Sequence, residues 1–352
     1  MATYLKYFPQ PLLEDVIDNK CVPFVGAGFS RNAVLSTGAA MPLWDGLAKG
    51  LASQIPDFEY SDALDAISAF EHAYSRAKLV ETIGRLLHVS SAQPGGAHKA
   101  FCALPFETVC TTNFDFLLER GYEGVGKYCR PITDEDQLST HTGKVTVDLL
   151  KFHGDLNHPR RMVVTEEDYA GFIARNPLIA TFLANQLIGK TALFIGYSLD
   201  DPDFRLIWQI VGDRLGKLRR LAYTVKVGAD AREVARFERR GVRVINIPGK
   251  GSQYSAIFES LFKDSKTDGT HLLPRRPPGL RSRHFQSLPC RPMRGVGFVR
   301  SSHREVPWAS TELPSFPSWS DGALLPSSRK IWSRRVNPSR QSCLRWLVAP
   351  NL

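Results

Sequence analysis

Apolar positions along this chain fall into two spacings that alternate. Short continuous runs, Val22 to Val25, Glu107 to Thr112, Val145 to Phe152, Thr191 to Ile195, Leu221 to Val227 and Val242 to Ile247, have the length and β-branched content of buried strands. Between them the spacing switches to three and four. Leu12, Leu13, Val16 and Ile17 share one face of a short leading helix. Three further helices follow from Leu43, Leu47, Leu51 and Ile55, then Leu64, Ile67, Phe70 and Tyr74, then Leu79, Val80, Ile83, Leu86 and Leu87. Phe116 to Arg120 turns helical before Gly121. Thr165 followed by three acids reads as a helix start, as does Asp200-Asp201-Pro202, with proline where a missing N–H is harmless. Ala231 to Arg239 and Gln253 to Phe262 complete the set. Strands alternating with helices predict an α/β fold: a mainly parallel, Rossmann-like sheet with helices on both faces and a helical insertion at about 42–104.

The polar positions sharpen this picture. Four strands each run into a small cluster of Gly, Ser, Asn, Asp or His, and open parallel sheets bind ligands outside the carboxyl ends of their strands. The first cluster, Gly26-Ala27-Gly28-Phe29-Ser30-Arg31, reads as strand, tight turn and helix start. Such a turn points free N–H groups and the helix dipole at one spot, which is a phosphate cradle, although the same pattern also occurs where two backbones merely pack closely. A dinucleotide dehydrogenase half would need a third glycine at position 31 and a second strand ending in an acid about 20 residues on. Arg31 and the three helices argue against it.

Composition divides the chain. From Ser265 onward lie 15 of the 45 Lys and Arg but only 4 of the 35 Asp and Glu, which leaves 30 basic and 31 acidic residues in 1–264. The net charge of +10 therefore belongs to the tail, which also holds 11 of the 23 prolines and 4 of the 6 tryptophans. Neither strand nor helix periodicity runs through it. Residues 265–352 are expected to be a disordered basic extension, and arginine with aromatics would suit nucleic acid there and nowhere else in the chain. A slipped reading frame, with a further domain lost, would give the same abrupt break. The N-terminus shows no basic-then-apolar leader, and no apolar run approaches the length of a membrane span. Six scattered cysteines without a C-x-x-C fit reduced thiols in a cytoplasm and argue against a cysteine-built zinc site.

Taken in order, Gly26-Ala27-Gly28-Phe29-Ser30, Thr112-Asn113-Phe114-Asp115, Lys151-Phe152-His153-Gly154 and Gly196-Tyr197-Ser198 resemble the motifs of the sirtuin (silent information regulator) superfamily. The resemblance covers about residues 14–262. It departs from the deacylases at two places: Asp155 to Ala180 holds no cysteine for their zinc ribbon, and Met41-Pro42-Leu43-Trp44 stands where they have Ile-Pro-Asp-Phe-Arg. Val163 to Tyr169 and Gly196 to Arg205 are similar to the bacterial sirtuin-like branch, whose members deplete NAD in antiphage defence under control of a sensor domain or partner.

The resemblance implies an NAD glycohydrolase with NAD as substrate, no metal, a homo-oligomeric assembly and a sensor protein or sensor domain. His153 is then the base acting on a ribose hydroxyl or the attacking water, and Asn113 holds that water or hydroxyl. Gly26, Ala27, Gly28 and Ser30 cradle the pyrophosphate. Ser198 touches a phosphate or the adenosine ribose. Asp115 either contacts the carboxamide or caps the helix behind it; Asp201 either bonds a ribose or caps its own helix; Arg205 either neutralises a phosphate or pairs with an acid. Two other functions stay open: an NAD-dependent protein deacylase, and a non-catalytic NAD or ADP-ribose sensor.

Overall fold

The computed structural model describes residues 4–140, 147–250 and 253–268. The expected basic tail lies outside them beyond Asp268, and with it the nucleic-acid reading.

Seven strands form one all-parallel sheet: β1 (Cys21–Val25), β2 (Thr108–Thr111), β3 (Cys129–Ile132), β4 (Val147–Lys151), β5 (Thr191–Ile195), β6 (Ala222–Val227) and β7 (Arg243–Ile247), in the order β3-β4-β2-β1-β5-β6-β7. The central strands β1 and β5 are buried at every position, as a sheet covered on both faces requires. Their side chains alternate between two cores. Cys21, Val25, Leu193 and Ile195 enter one, which is closed by helices Gln10–Ile17, Gly96–Cys102, Leu117–Glu123 and Tyr254–Asp268. Val22, Phe24, Ala192 and Phe194 enter the other, under helices Glu166–Arg175, Pro177–Gly189, Pro202–Leu215 and Ala231–Glu238. The edge strand β7 buries only Ile245 and Ile247 fully.

A third apolar cluster belongs to helices Trp44–Ala52, Ala63–Ala73 and Arg76–Leu86, around Leu51, Ile67, Phe70 and Ile83, with Phe114, Leu117, Met162 and Val164 reaching it from the sheet side. Arg76 fastens it there: its guanidinium donates to Asp168 (2.8 Å), Glu71 (3.0 Å) and the Met162 carbonyl (2.6 Å). Helix Gly96–Cys102, which closes the 42–104 stretch, instead joins the first sheet core through Ala97 and Phe101.

Four of the differences between the sequence pattern and the structure have a clear physical cause. Strand β3 escapes it because four residues with Pro131 in their midst give no run; proline is tolerated there because β3 is an edge strand. Helix Pro177–Gly189 is apolar on nearly every side, Leu178 and Ile188 included, so no stripe betrays its buried face. Gly121 does not stop its helix, which runs to Glu123. A Cβ at Gly121 would sit 2.9 Å from Cys102 Sγ, so this glycine serves close helix contact. The last helix continues to Asp268, past the compositional break at Ser265.

Candidate active site

Register places the four motif strands on one rim. Lys151 pairs with Thr111, Thr111 with Val25, and Val25 with Ile195, so β4, β2, β1 and β5 end at one level. His153 and Asn113 each lie two residues beyond, on adjacent strands about 4.8 Å apart. Successive elements depart to opposite sides of β1, which makes the β1–β5 junction the topological switch point where such sheets bind ligands. The sequence expectation of one convergent rim holds.

At β1 and β2 the polar groups satisfy one another. Asn113 Nδ2 donates to Ser30 Oγ (2.9 Å), and Ser30 Oγ donates to Asp115 Oδ2 (2.6 Å), all three residues being buried. Asp115 Oδ1 accepts from the Leu117 N–H (3.1 Å), so this residue caps its helix as one of the two readings had it. The Thr111 hydroxyl donates to the Val25 carbonyl (2.8 Å) and accepts the Asn113 N–H (3.0 Å), pinning the amide-bearing turn to β1. Ser30 thus orients the Asn113 amide through Nδ2.

Lys151 links this group to β4. It is 1% exposed, donates to the Asp115 carbonyl (2.8 Å) and Glu119 (2.6 Å), and lies over the Phe116 ring. Burial pushes the Glu119 carboxyl up, and the Lys151 charge opposes that shift. His98 lies beneath, its ring 4.7 Å from Phe29, with neither nitrogen partnered. Burial lowers it to about 4 against the pull of the Asp115 charge.

The glycine turn requires a correction. Its N–H groups are mostly not free: Gly26 donates to Ile195 O (3.0 Å), Gly28 to Gly196 O (2.9 Å) and Phe29 to Gly26 O (2.9 Å). A Cβ on Gly26 or Gly28 would meet Gly196 O at 2.6 or 2.8 Å. These glycines allow two strand ends to touch backbone to backbone. Of residues 26–29, Ala27 alone keeps an N–H without a backbone partner among the described residues.

His153 stands in different surroundings. It is 2% exposed, its ring walled by Phe152, Tyr169 and Phe172 at 4.8, 5.3 and 5.8 Å. Its Nε2 lies 3.0 Å from Asp201 Oδ2, yet the angle is too poor for a hydrogen bond and Nε2 counts as unpartnered. Asp203 Oδ2 and the Tyr197 hydroxyl are likewise buried without partners. Burial first, and the Asp201 charge second, push the Asp203 carboxyl up to about 7; His153 and Arg175 oppose the shift. Among the described residues His153, Asp201 and Asp203 bring three possible metal-donor atoms within 4.8 Å of one another.

Asp201 Oδ1 accepts the Phe204 N–H (2.6 Å), so this residue caps its helix while its other oxygen faces the imidazole. Ser198 is exposed, its carbonyl held by Arg240 (3.1 Å). Arg205 is exposed one turn into the same helix and makes no ion pair among the described residues. Asp203, Lys151 and His98 carried no role in the sequence reading. Their signal is tertiary, apart from the place of Asp203 in Asp200-Asp201-Pro202-Asp203.

Comparison with known proteins gives a consistent result. A family model described as a SIR2-like domain matches residues 107–245. The NAD(+) hydrolase ThsA of Cytobacillus dafuensis is 29% identical over 59% of this chain and 41% of its own length. The protein of that name from Bacillus cereus (strain MSX-D12) is 28% identical over 59% and 43%. Defense-associated sirtuin 2 of Bacillus subtilis is 30% identical over 31% of this chain and 11% of that protein. The chain thus spans about two fifths of the length of the first of these relatives.

Proposed function

We propose that this chain, which carries a SIR2-like domain, hydrolyses NAD to nicotinamide and ADP-ribose and acts in antiphage defence by depleting NAD. The observation that carries the reading is the shared level of His153 and Asn113 on adjacent strands, beside the switch point at β1 and β5. The names of the relatives, NAD(+) hydrolase and defense-associated sirtuin, agree with it.

In this reading NAD lies along the rim. Asn113 Oδ1 accepts from the attacking water or a ribose hydroxyl, its amide held by Ser30. His153 takes the proton as water attacks the anomeric carbon and nicotinamide departs. Ala27 N–H, Ser198 and Arg205 serve the phosphates or the adenosine ribose. Gly26 and Gly28 shape the turn, and Asp115 acts through Ser30. A homo-oligomer and a sensor, in another protein or in a further domain, complete the proposed system. Among the described residues no helix is long and apolar enough to cross a membrane.

The test is incubation of the chain with NAD and chromatographic separation of products. Free nicotinamide and ADP-ribose are expected, with the rate reduced by about 100-fold or more in His153→Ala and in Asn113→Ala. O-acyl-ADP-ribose formed from an acylated peptide would replace the reading with a deacylase. Tight NAD binding without turnover in the presence of the activating signal would replace it with a sensor.

A further inference from the structure

A base must present an unprotonated ring nitrogen to its substrate, whereas a free neutral imidazole shares its proton between two positions. Something must choose. In this site the choice lies with the loop between β5 and helix Pro202–Leu215.

That loop is strained and held. Gly196 and Leu199 both adopt the left-handed backbone, at φ +63° and +61°, and Leu199 has no glycine's freedom to do so. Arg240 overdetermines the conformation: it donates to the carbonyls of Ser198 (3.1 Å) and Leu199 (2.9 Å) and to Asp200 Oδ1 (2.9 Å). The buried Leu199 side chain adds a packing anchor. The outcome is a single carboxylate with two duties, Asp201 Oδ1 capping the helix and Oδ2 standing 3.0 Å from His153 Nε2. An unpartnered imidazole nitrogen that is almost wholly buried faces it. Strain sustained by surrounding structure is characteristic of functional sites, and the orientation of a histidine is set by what its second nitrogen meets.

We propose that Asp201 is the positioning residue of His153: its Oδ2 charge, 3.0 Å from Nε2 but off the line of a hydrogen bond, favours the proton on that nitrogen electrostatically, and the Gly196–Asp201 loop so leaves Nδ1 as the basic nitrogen offered to the substrate. Asp203 supplies the second acidic group of the wall, with Arg175 near it, and the Tyr169 and Tyr197 hydroxyls complete the groups that face the pair. The role of Nδ1 rests on the hydrolytic reading above; the placement of the proton on Nε2 does not. In the step itself a water O–H bond breaks and its proton passes to Nδ1. The water oxygen bonds to the anomeric carbon, and the glycosidic electron pair leaves with nicotinamide. The resulting imidazolium is stabilised by the Asp201 carboxylate beside it.

The test uses the full chain labelled with ¹⁵N-histidine, with the His153 signal identified by its loss in His153→Ala. Wild type is expected to show one neutral tautomer, protonated at Nε2. Asp201→Ser keeps a capping oxygen but is too short to reach the ring, so the tautomer preference should collapse while the helix stays capped. Its kcat for NAD should fall by roughly 100-fold with little change in KM. Arg240→Ala, outside the site, should produce the same two changes in smaller degree, and it answers the question if Asp201→Ser does not fold. Unaltered tautomer and kcat in the folded variants would overturn the proposal. A tautomer that shifts as expected in a chain that never cleaves NAD would leave the positioning role standing and remove the hydrolase reading instead.

Discussion

Two polar clusters share the rim and are built on opposite principles. Around β1 and β2, Asn113, Ser30 and Asp115 form a closed chain of hydrogen bonds that ends on a helix N–H. Around β4 and the loop after β5, His153 Nε2, Asp203 Oδ2 and the Tyr197 hydroxyl are buried and unpartnered. Unsatisfied polar groups are costly inside a protein, so these three are the ones a ligand or water in the crevice would satisfy. The satisfied cluster is a mount, and the unsatisfied one leaves polar atoms open to a partner. Neither property can be inferred from residue type, since both clusters combine acids with amides, hydroxyls or imidazole.

The comparison breaks most sharply at Lys151, which supports the mount from the strand that carries His153. Lys151→Met leaves Glu119 buried without its cation and is expected to lose about 3–5 kcal/mol in urea unfolding. Adding Glu119→Leu should recover part of that loss, since Asp155 and the Asp115 carbonyl still lose the Lys151 ammonium. Ser30→Ala should lose about 1–3 kcal/mol, leaving Asp115 Oδ2 without its donor and Asn113 free to turn. Activity should then fall along with stability. A Ser30→Ala chain as stable and as active as wild type would end the idea of a mount.

Smaller effects, opposite in sign, separate the two sides by pH. His98, beneath the mount, has its folded pKa lowered to about 4 by burial, below the ordinary value of 6.5. The unfolded chain then binds more protons between those values, so stability contributed here is present above pH 6.5 and drains away as pH falls toward 4. Asp203 behaves in reverse. Its folded pKa is raised from 3.8 to about 7, so the native state binds the extra proton, and stability is lost as pH rises through that window. Because the two windows overlap with opposite slopes, thermal midpoints across pH 4–8 should, relative to wild type, fall more with rising pH in His98→Phe and rise more with rising pH in Asp203→Asn.

Much of this was legible before any coordinates. Six of the seven strands show as apolar runs because a parallel sheet covered on both faces leaves no alternation to disguise them. The rim was readable because each motif follows its strand immediately, and parallel strands end alike. What the pattern hid is what depends on contact between distant segments. Gly26 and Gly28 look the same whether their N–H groups face a phosphate or the Ile195 and Gly196 carbonyls, and only the fold distinguishes the two. Asp201 as a helix cap was foreseeable from Asp-Asp-Pro; its second oxygen meeting His153, 48 positions earlier, was not.

The glycine contact has a mechanical consequence. Where the backbones of the Gly26–Gly28 turn and Gly196 touch, no side chain intervenes that could rotate aside, so the middle of the rim is rigid and its width is set before any ligand arrives. The flanks are fastened as well, the helical insertion by Arg76 and the loop after β5 by Arg240, so a ligand meets a crevice whose outline is drawn in advance on three sides.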